Sequence, residues 1–319
     1  MNYNYLRYPI ETLRNKFYAE LFRSNYYKVL IKKDLKKALS LQYKAQHHEE
    51  LNWDNPQTLD AKIMWLEVMT DTSIWSELTD KYNVRKYIEQ KGYADNLPNC
   101  YGVWDRVEDI DYTTLPDKFV IKCTHDSGST FIIKNKAKSN LEKINNELRK
   151  KLEPMGIATC EPHYLKIKPR IIAEELLEDF EDTKWSTSLI DYKIWCFNGK
   201  PYIAFVCYDR QRMTNGLIGV TYDLFTLDDW TPKREFLSKK NANYKNIPKP
   251  KCLDEMLQIA KNLSAEFPLV RVDFYVINNK PYFGELTFTS SGGLNYFYSK
   301  LGQKEMGNAI DLSKIKRIR

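Results

Sequence analysis

Histidine is scarce in this chain, four in 319 residues, and the adjacent His47-His48 has no partners at zinc-ligand spacing, so a structural zinc site is not expected. The six cysteines, at 100, 123, 160, 196, 207 and 252, form no C-x-x-C and no dense framework; they read as reduced, mostly buried thiols. No stretch approaches the ~18 uninterrupted apolar residues of a spanning helix, and the N-terminus lacks an apolar signal core, so a cytoplasmic protein is expected. Internal repeats, low-complexity tracts, Ser-His-Asp and Cys-His arrangements are all missing as well.

The bulk composition, 43% apolar and 29% charged, is that of an ordinary globular chain long enough for two or three subdomains. Its net charge of +7 is unevenly placed. Residues 1–44 hold ten Lys/Arg and three acids, and 311–319 four bases and one acid, which leaves 45–310 at 7 − 7 − 3 = −3. A nucleic-acid surface running throughout is thereby excluded. In the basic N-terminal segment Leu6, Ile10, Leu13, Phe17 and Leu21 mark one face of a helix, accompanied by Arg7, Arg14, Lys16 and Arg23. Two readings stand: a helix lying on an anionic membrane surface, and a helix packed on its own domain with a solvated basic side.

A second helix is expected at Leu59, Ile63, Leu66 and Val68, after Asn55-Pro56, and a third over about Leu253 to Phe267, after Pro248 and Pro250. Strands are expected at Phe119–Cys123, Arg170–Glu174, Tyr192–Phe197, Tyr202–Cys207, Val270–Ile277 and Tyr282–Phe288, where β-branched and aromatic residues dominate. They alternate with helices in no regular β-α-β rhythm, which predicts α+β lobes rather than one doubly wound sheet.

Four segments could carry chemistry. Arg271 to Glu285 reads as a hairpin. A three-residue loop, Asn278-Asn279-Lys280, would set Asp273 opposite Glu285 on one face, with Cβ atoms ~5 Å apart. A two-residue loop would put them on opposite faces. Two carboxylates that close need a proton or a divalent cation between them, and oxygen-only ligands favour magnesium. Phe119 to Ile133 is a strand ending in Lys122, then His125-Asp126-Ser127-Gly128-Ser129, then another strand. Such a loop can turn N–H groups and hydroxyls toward phosphate, although it does not fit the P-loop pattern. Ile171 to Leu177 is an apolar strand ending in Glu174-Glu175. Asp191 to Pro201 places Lys193 inside an aromatic strand before an Asn-Gly turn, where it needs a counter-charge or a route to solvent.

Taken in order, these segments resemble the ATP-grasp superfamily, in its teichuronopeptide-biosynthesis (TupA-like) branch. The likeness runs from Asn52-Trp-Asp-Asn-Pro through Thr79-Asp80-Lys81 and Leu115-Pro-Asp-Lys-Phe-Val-Ile-Lys122 to Asp191-Tyr-Lys193. It ends on Val270-Arg-Val-Asp273 and Phe283-Gly-Glu285-Leu-Thr-Phe-Thr-Ser-Ser-Gly-Gly293. The resemblance implies two α+β lobes clasping ATP and Mg2+. It divides the chain from 79 on into a linker and small lobe (79–180), a large lobe (181–302) and a basic tail (303–319), whereas residues 1–78 read as helical where the superfamily usually has a Rossmann-like domain.

By the same resemblance Lys81 and Lys122 are phosphate-binding lysines, His125 to Ser129 is the lid loop, and Glu174, Glu175 and Leu177 are the hinge that reads adenine. Glu181 or Asp182 would bind ribose and Lys193 a phosphate of ATP. Asp273, Glu285 and Thr287 would hold magnesium, Thr287 standing where many relatives have asparagine. Arg271 would steady the transferring phosphate. The implied reaction is carboxylate–amine ligation through an acylphosphate, with a uronic acid of a bacterial cell-surface polysaccharide as acceptor and an amino acid or amine as donor. Three alternatives stay open. A glycosyltransferase would use an acidic Asp-x-Asp such as Asp109-Ile110-Asp111, here expected to be a solvated turn. A kinase on the same fold would phosphorylate a hydroxyl, and a non-catalytic module would dock on a membrane complex.

Overall fold

A computed structural model describes residues 13–153, 160–178, 184–212, 218–238 and 244–318. Six helices come first: α1 (Leu13–Arg23), α2 (Asn25–Lys33), α3 (Leu35–His47), α4 (Leu59–Met69), α5 (Ser73–Thr79) and α6 (Asn83–Gln90). The starts of α2 and α3 follow from capping. Ser24 accepts from Tyr27 N at 3.1 Å to start α2, and Asp34 accepts from Lys37 N at 2.9 Å to start α3. α4 is buried along nearly its whole length, which its apolar composition all round requires.

The N-terminal stripe differs from expectation. Leu6 and Ile10 lie outside the described residues, Phe17 is exposed, and Tyr18 and Ala19 turn inward. Tyr18 and the half-buried Phe22 stack with ring centroids 5.7 Å apart, and Phe22 meets the buried Tyr27. Aromatic packing against α2 thus turns Tyr18 inward in place of Phe17, while Leu21 of the expected stripe packs against the core.

The small lobe is a four-stranded antiparallel sheet from β1 (Cys100–Trp104), β2 (Phe119–Cys123), β3 (Phe131–Ile133) and β4 (Ile171–Glu174), in the order β1-β4-β2-β3. The helix α7 (Leu141–Lys151) covers it through Leu148, and Phe119, Ile121, Cys123, Ile171 and Ala173 complete a hydrophobic cluster of its own. The large sheet holds β5 (Asp191–Phe197), β6 (Lys200–Arg212), β7 (Ile218–Phe225), β8 (Leu269–Ile277) and β9 (Lys280–Thr287), ordered β7-β6-β5-β8-β9 and wholly antiparallel. One face carries α8 (Leu253–Ser264): Cys196 Sγ lies 3.9 Å from Ala260 O. Alternation therefore turns Lys193 and Trp195 to the other face.

The larger hydrophobic cluster unites this sheet with the N-terminal helices, including Val84 and Ile88 of α6. Packing thus assigns the start of the segment 79–180 to the large body, and β1 begins the small lobe. Residues past 302 pack on the large body as well. The last helix, α9 (Lys300–Asn308), packs on α4 so closely that a Cβ on Gly307 would stand 2.1 Å from Gln57 O, and Ile318 N donates to Met69 O at 2.9 Å.

Candidate active site

The carboxylate pair is brought together by an irregularity in the hairpin. Ile277 pairs with Lys280, so the turn is the two residues Asn278-Asn279, both left-handed at φ 51° and 61°. Asparagine tolerates that conformation, and such turns match the twist of the strands. An uninterrupted ladder would then send Asp273 and Glu285 to opposite faces. A bulge between Asp273 and Phe274 adds one residue, Gly284, to β9, and Asp273 pairs with Glu285 after all. The expected juxtaposition is present, but the bulge produces it, not a three-residue loop. A Cβ on Gly284 would come 3.1 Å from the Asp273 carbonyl oxygen, so glycine suits the bulge.

Two cross-strand rows then form on the face away from α8: Lys193, Asp273 and Glu285 in one, and Trp195, Arg271 and Thr287 in the next. The Arg271 guanidinium grips Asp273 with Nε and Nη2, each at 2.7 Å, and reaches Glu285 Oε1 and Thr287 Oγ1 with Nη2 at 3.1 Å. Its Nη1 donates to Ser290 Oγ at 2.7 Å. Lys193 Nζ bridges Asp273 and Asp191, the latter at 2.6 Å, and Arg210 closes on Asp191 at 3.1 Å. The counter-charge required of the buried lysine is therefore a pair of aspartates. Burial opposes the charge on Lys193 and on Arg271, and the neighbouring aspartates more than restore it, so both pKa values lie above the ordinary. Partial burial by itself would raise the pKa of Glu285, whose side chain is still 44% exposed. Lys193, Arg271 and Lys81, with a hydrogen bond from Thr287, pull it down to about 2. Glu285 is thus an anion throughout the physiological range.

Lys81 belongs to the stretch between α5 and α6 and is fixed three ways. Its N donates to Thr124 O at 3.1 Å, its Nζ reaches the Asp126 carbonyl, and the preceding Asp80 accepts from Arg170 Nη2 at 2.9 Å. Burial lowers its pKa; Asp126, Glu285 and Glu174 oppose that, while Lys122 adds to it. Its ammonium thus feels the small-lobe groups and the large-sheet carboxylate at once. Lys122, on β2, pairs with Glu174 at 2.5 Å, and Arg85 holds the same carboxylate at 3.1 Å.

The loop after β2 divides. Ser127 and Gly128 form an exposed tip, with Gly128 at φ 96°. His125 and Ser129 fold inward: His125 Nε2 lies 3.0 Å from Glu153 O, and Ser129 Oγ accepts from Cys123 N at 2.8 Å while donating to Asp126 at 2.5 Å. The groups of the tip free to meet a ligand are the Ser127 side chain and the backbone at Gly128.

The hinge segment also divides by role. Glu174 is a sheet residue with its side chain engaged by Lys122 and Arg85. Glu175 N donates to Asn99 O at 2.9 Å, and its carboxylate accepts from Asn99 Nδ2 at 2.9 Å. Leu177 follows, half-buried, in non-sheet chain. Glu181 and Asp182 lie outside the described residues. Asp109 and Asp111 are exposed, and Asp111 accepts from Thr113 N at 2.9 Å to cap a short 3₁₀ turn.

Asp80, Arg85, Asp191, Arg210 and Ser290 escaped assignment from sequence. Asp191 was within reach, since two residues before Lys193 on a strand means the same face. Arg210 and Ser290 come from other elements and had no such signal. Magnesium prefers oxygen ligands and completes its shell with water or phosphate. Asp273, Glu285 and Thr287 supply three oxygen-bearing side chains at neighbouring positions, and the Glu285 side chain is 44% exposed. Among the described residues no three His, Cys, Asp or Glu side chains group closely enough to hold an ion by themselves. The oxygen donors at hand for a cation are thus two carboxylates and a hydroxyl, with the Asp273 oxygens also engaged by Arg271 and Lys193.

Two antiparallel lobes with cationic side chains on each, facing an acidic pair on a bulged hairpin, define an ATP-grasp fold. The chain belongs to the TupA-like ATPgrasp family, whose pattern it matches over residues 61–311. Among solved structures it is similar to an L-amino acid ligase from Bacillus licheniformis (11% identity, 88% of this chain and 62% of that one, TM-score 0.48). It is also similar to D-alanine–D-alanine ligases from Helicobacter pylori (13%, 79% and 69%, TM-score 0.43) and, in a complex with ATP, from Bacillus anthracis (13%, 66% and 55%, TM-score 0.40). The chain thus spans 55 to 69% of those three structures. Comparison with curated proteins finds no match.

Proposed function

We propose that this protein is an ATP- and magnesium-dependent ligase that activates a carboxylate as an acylphosphate and joins it to an amine. The observation that carries the reading is the Asp273–Glu285 pair that the bulge sets on one face of the large sheet beside Lys193 and Arg271, with Lys81 fixed at the small-lobe loop through Thr124. A polyphosphate lying between the lobes would meet Lys81 and Lys122 on one side and Lys193 and Arg271 on the other. Phosphoryl transfer needs positioning and charge neutralisation more than a protein nucleophile, and these residues offer both.

In this mechanism Lys81 and Lys122 bind phosphate oxygens from the small-lobe side, and Lys193 does so from the large sheet. Arg271, held in a fixed plane by Asp273 and Ser290, faces the transferring phosphoryl group and the carboxylate that receives it. Magnesium, held by Asp273 and Glu285 with Thr287, would neutralise phosphate charge. The acceptor carboxylate oxygen attacks the γ-phosphorus, the bond to the β-phosphate oxygen breaks, and ADP leaves. The amine nitrogen then attacks the acyl carbon and phosphate departs. Overall a carboxylate, an ammonium and ATP give an amide, ADP, phosphate and one proton. Ser127 and Gly128, at the exposed loop tip, close over the phosphates and exclude water from the acylphosphate.

For substrates, the reading is a uronic acid of a bacterial cell-surface polysaccharide or its precursor, and an amino acid or amine. The test is phosphate release from purified protein with ATP, Mg2+ and uronate–amine pairs, with amide identified by mass spectrometry. Turnover that disappears in Asp273→Asn and Glu285→Gln supports the assignment. ATP binding without turnover on any pair, or a phosphorylated hydroxyl as the stable product, would count against it.

A further inference from the structure

The helical N-terminal region carries a face that the ligase reading leaves unused. On α2, Tyr27, Leu30 and Ile31 point into the core, whereas Tyr26 and Val29 stand outward at 58% and 48% exposure. Lys28, Lys32 and Lys33 are exposed around them, and Lys37 follows at the start of α3. Helical spacing sets Tyr26, Val29 and Lys33 in one stripe, with Lys28 and Lys32 along its side.

Two features separate this face from ordinary solvated surface. Its charge is uncompensated: the sole acid between residues 21 and 48 is Asp34, whose carboxylate caps α3. None of Lys28, Lys32, Lys33 and Lys37 forms an ion pair among the described residues, so no acid neutralises the cluster. Its centre, moreover, is an aliphatic side chain and an aromatic ring. A purely ionic partner would gain nothing from that centre, but the boundary of a bilayer accepts it, with lysine stems reaching up to the headgroups.

We infer that the outward face of α2 and the start of α3 dock on an anionic lipid surface. Among the described residues no helix is long and apolar enough to cross a membrane, so the contact is peripheral. The contact does not depend on the ligase assignment.

The test uses the full chain and sedimentation with vesicles of phosphatidylglycerol and phosphatidylcholine, against vesicles of phosphatidylcholine alone. Binding to the anionic vesicles, weakened by added salt, is expected. Each lysine near such a surface contributes about fivefold in partitioning, so K28Q/K32Q/K33Q should bind roughly a hundredfold more weakly. V29D, which adds one charge, should lose more than the fivefold of a single lysine, because it also removes the apolar centre. Unchanged thermal protection by ATP in these variants would show that they are folded and would test the nucleotide site separately. The inference is overturned if the unaltered chain ignores anionic vesicles, binds neutral ones equally, or binds heparin but not lipid, or if the triple variant partitions as before.

Discussion

At the scale of single residues, the site is governed by how buried charges are paired. Arg271 uses a planar fork on Asp273 and a third nitrogen on Ser290, a geometry that a single ammonium cannot reproduce. Arg271→Lys keeps the charge and should still lose about 10²–10³-fold in kcat, at a cost of about 1–2 kcal/mol in stability. Phosphate release and thermal unfolding measure the two, and a variant with ordinary turnover would sink the role given to the fork. A second buried acid tests the electrostatics away from the site. Glu67 lies inside α4 with neither carboxylate oxygen hydrogen-bonded, and burial, then the charge of Glu161, push its pKa well up. Its folded value lies above its unfolded one, so its favourable contribution holds at low pH and is lost as pH rises toward the folded value. Glu67→Gln cannot titrate. Its unfolding temperature should therefore gain on the unaltered protein between pH 5 and pH 8, and an equal difference at both values would contradict the assignment.

At the scale of elements, the bulge at Gly284 decides where Glu285 points. Gly284→Val places a side chain 3.1 Å or closer to a backbone carbonyl that cannot easily move. We expect a loss of about 1–3 kcal/mol, and a loss of Mg2+-dependent turnover beyond what instability explains, as the Asp273–Glu285 pairing is disturbed. Titration of activity with Mg2+ distinguishes the two, and an unaltered Mg2+ requirement would show that the pairing tolerates the strain. The hairpin also marks where local sequence runs out. The acids, the strands and the turn could be read from residue types. The bulge depends on cross-strand bonding between β8 and β9, and it reversed the link expected between loop length and register. Similarly β2, β4, β5, β6, β8 and β9 fell where β-branched and aromatic runs placed them. β7 was not anticipated, because its Ile218–Phe225 run earns its place through pairing with β6.

At the scale of the whole molecule, two hydrophobic clusters form two bodies, and the candidate phosphate-binding groups lie on both. A ligand gripped from each side should couple them. ATP with Mg2+ at a hundred times its Kd should stabilise the fold by about 2.7 kcal/mol. Hydrogen exchange should slow both in 119–123 and in 191–197; protection confined to one of the two would contradict a shared site. The N-terminal helices and α9 belong to the larger body, so their truncation would open its core rather than trim a dispensable end.

By itself the sequence determined which residue types could do the chemistry: lysines at strand ends, an acid pair flanking a polar turn, and their order along the chain. Those properties are local, and order and spacing preserve them. Tertiary structure alone decided which charges neutralise one another: Arg85 with Glu174, Arg170 with Asp80, Lys193 with Asp273. Each of these pairs joins elements distant in sequence, and a buried charge is stable only with a partner that the fold brings to it.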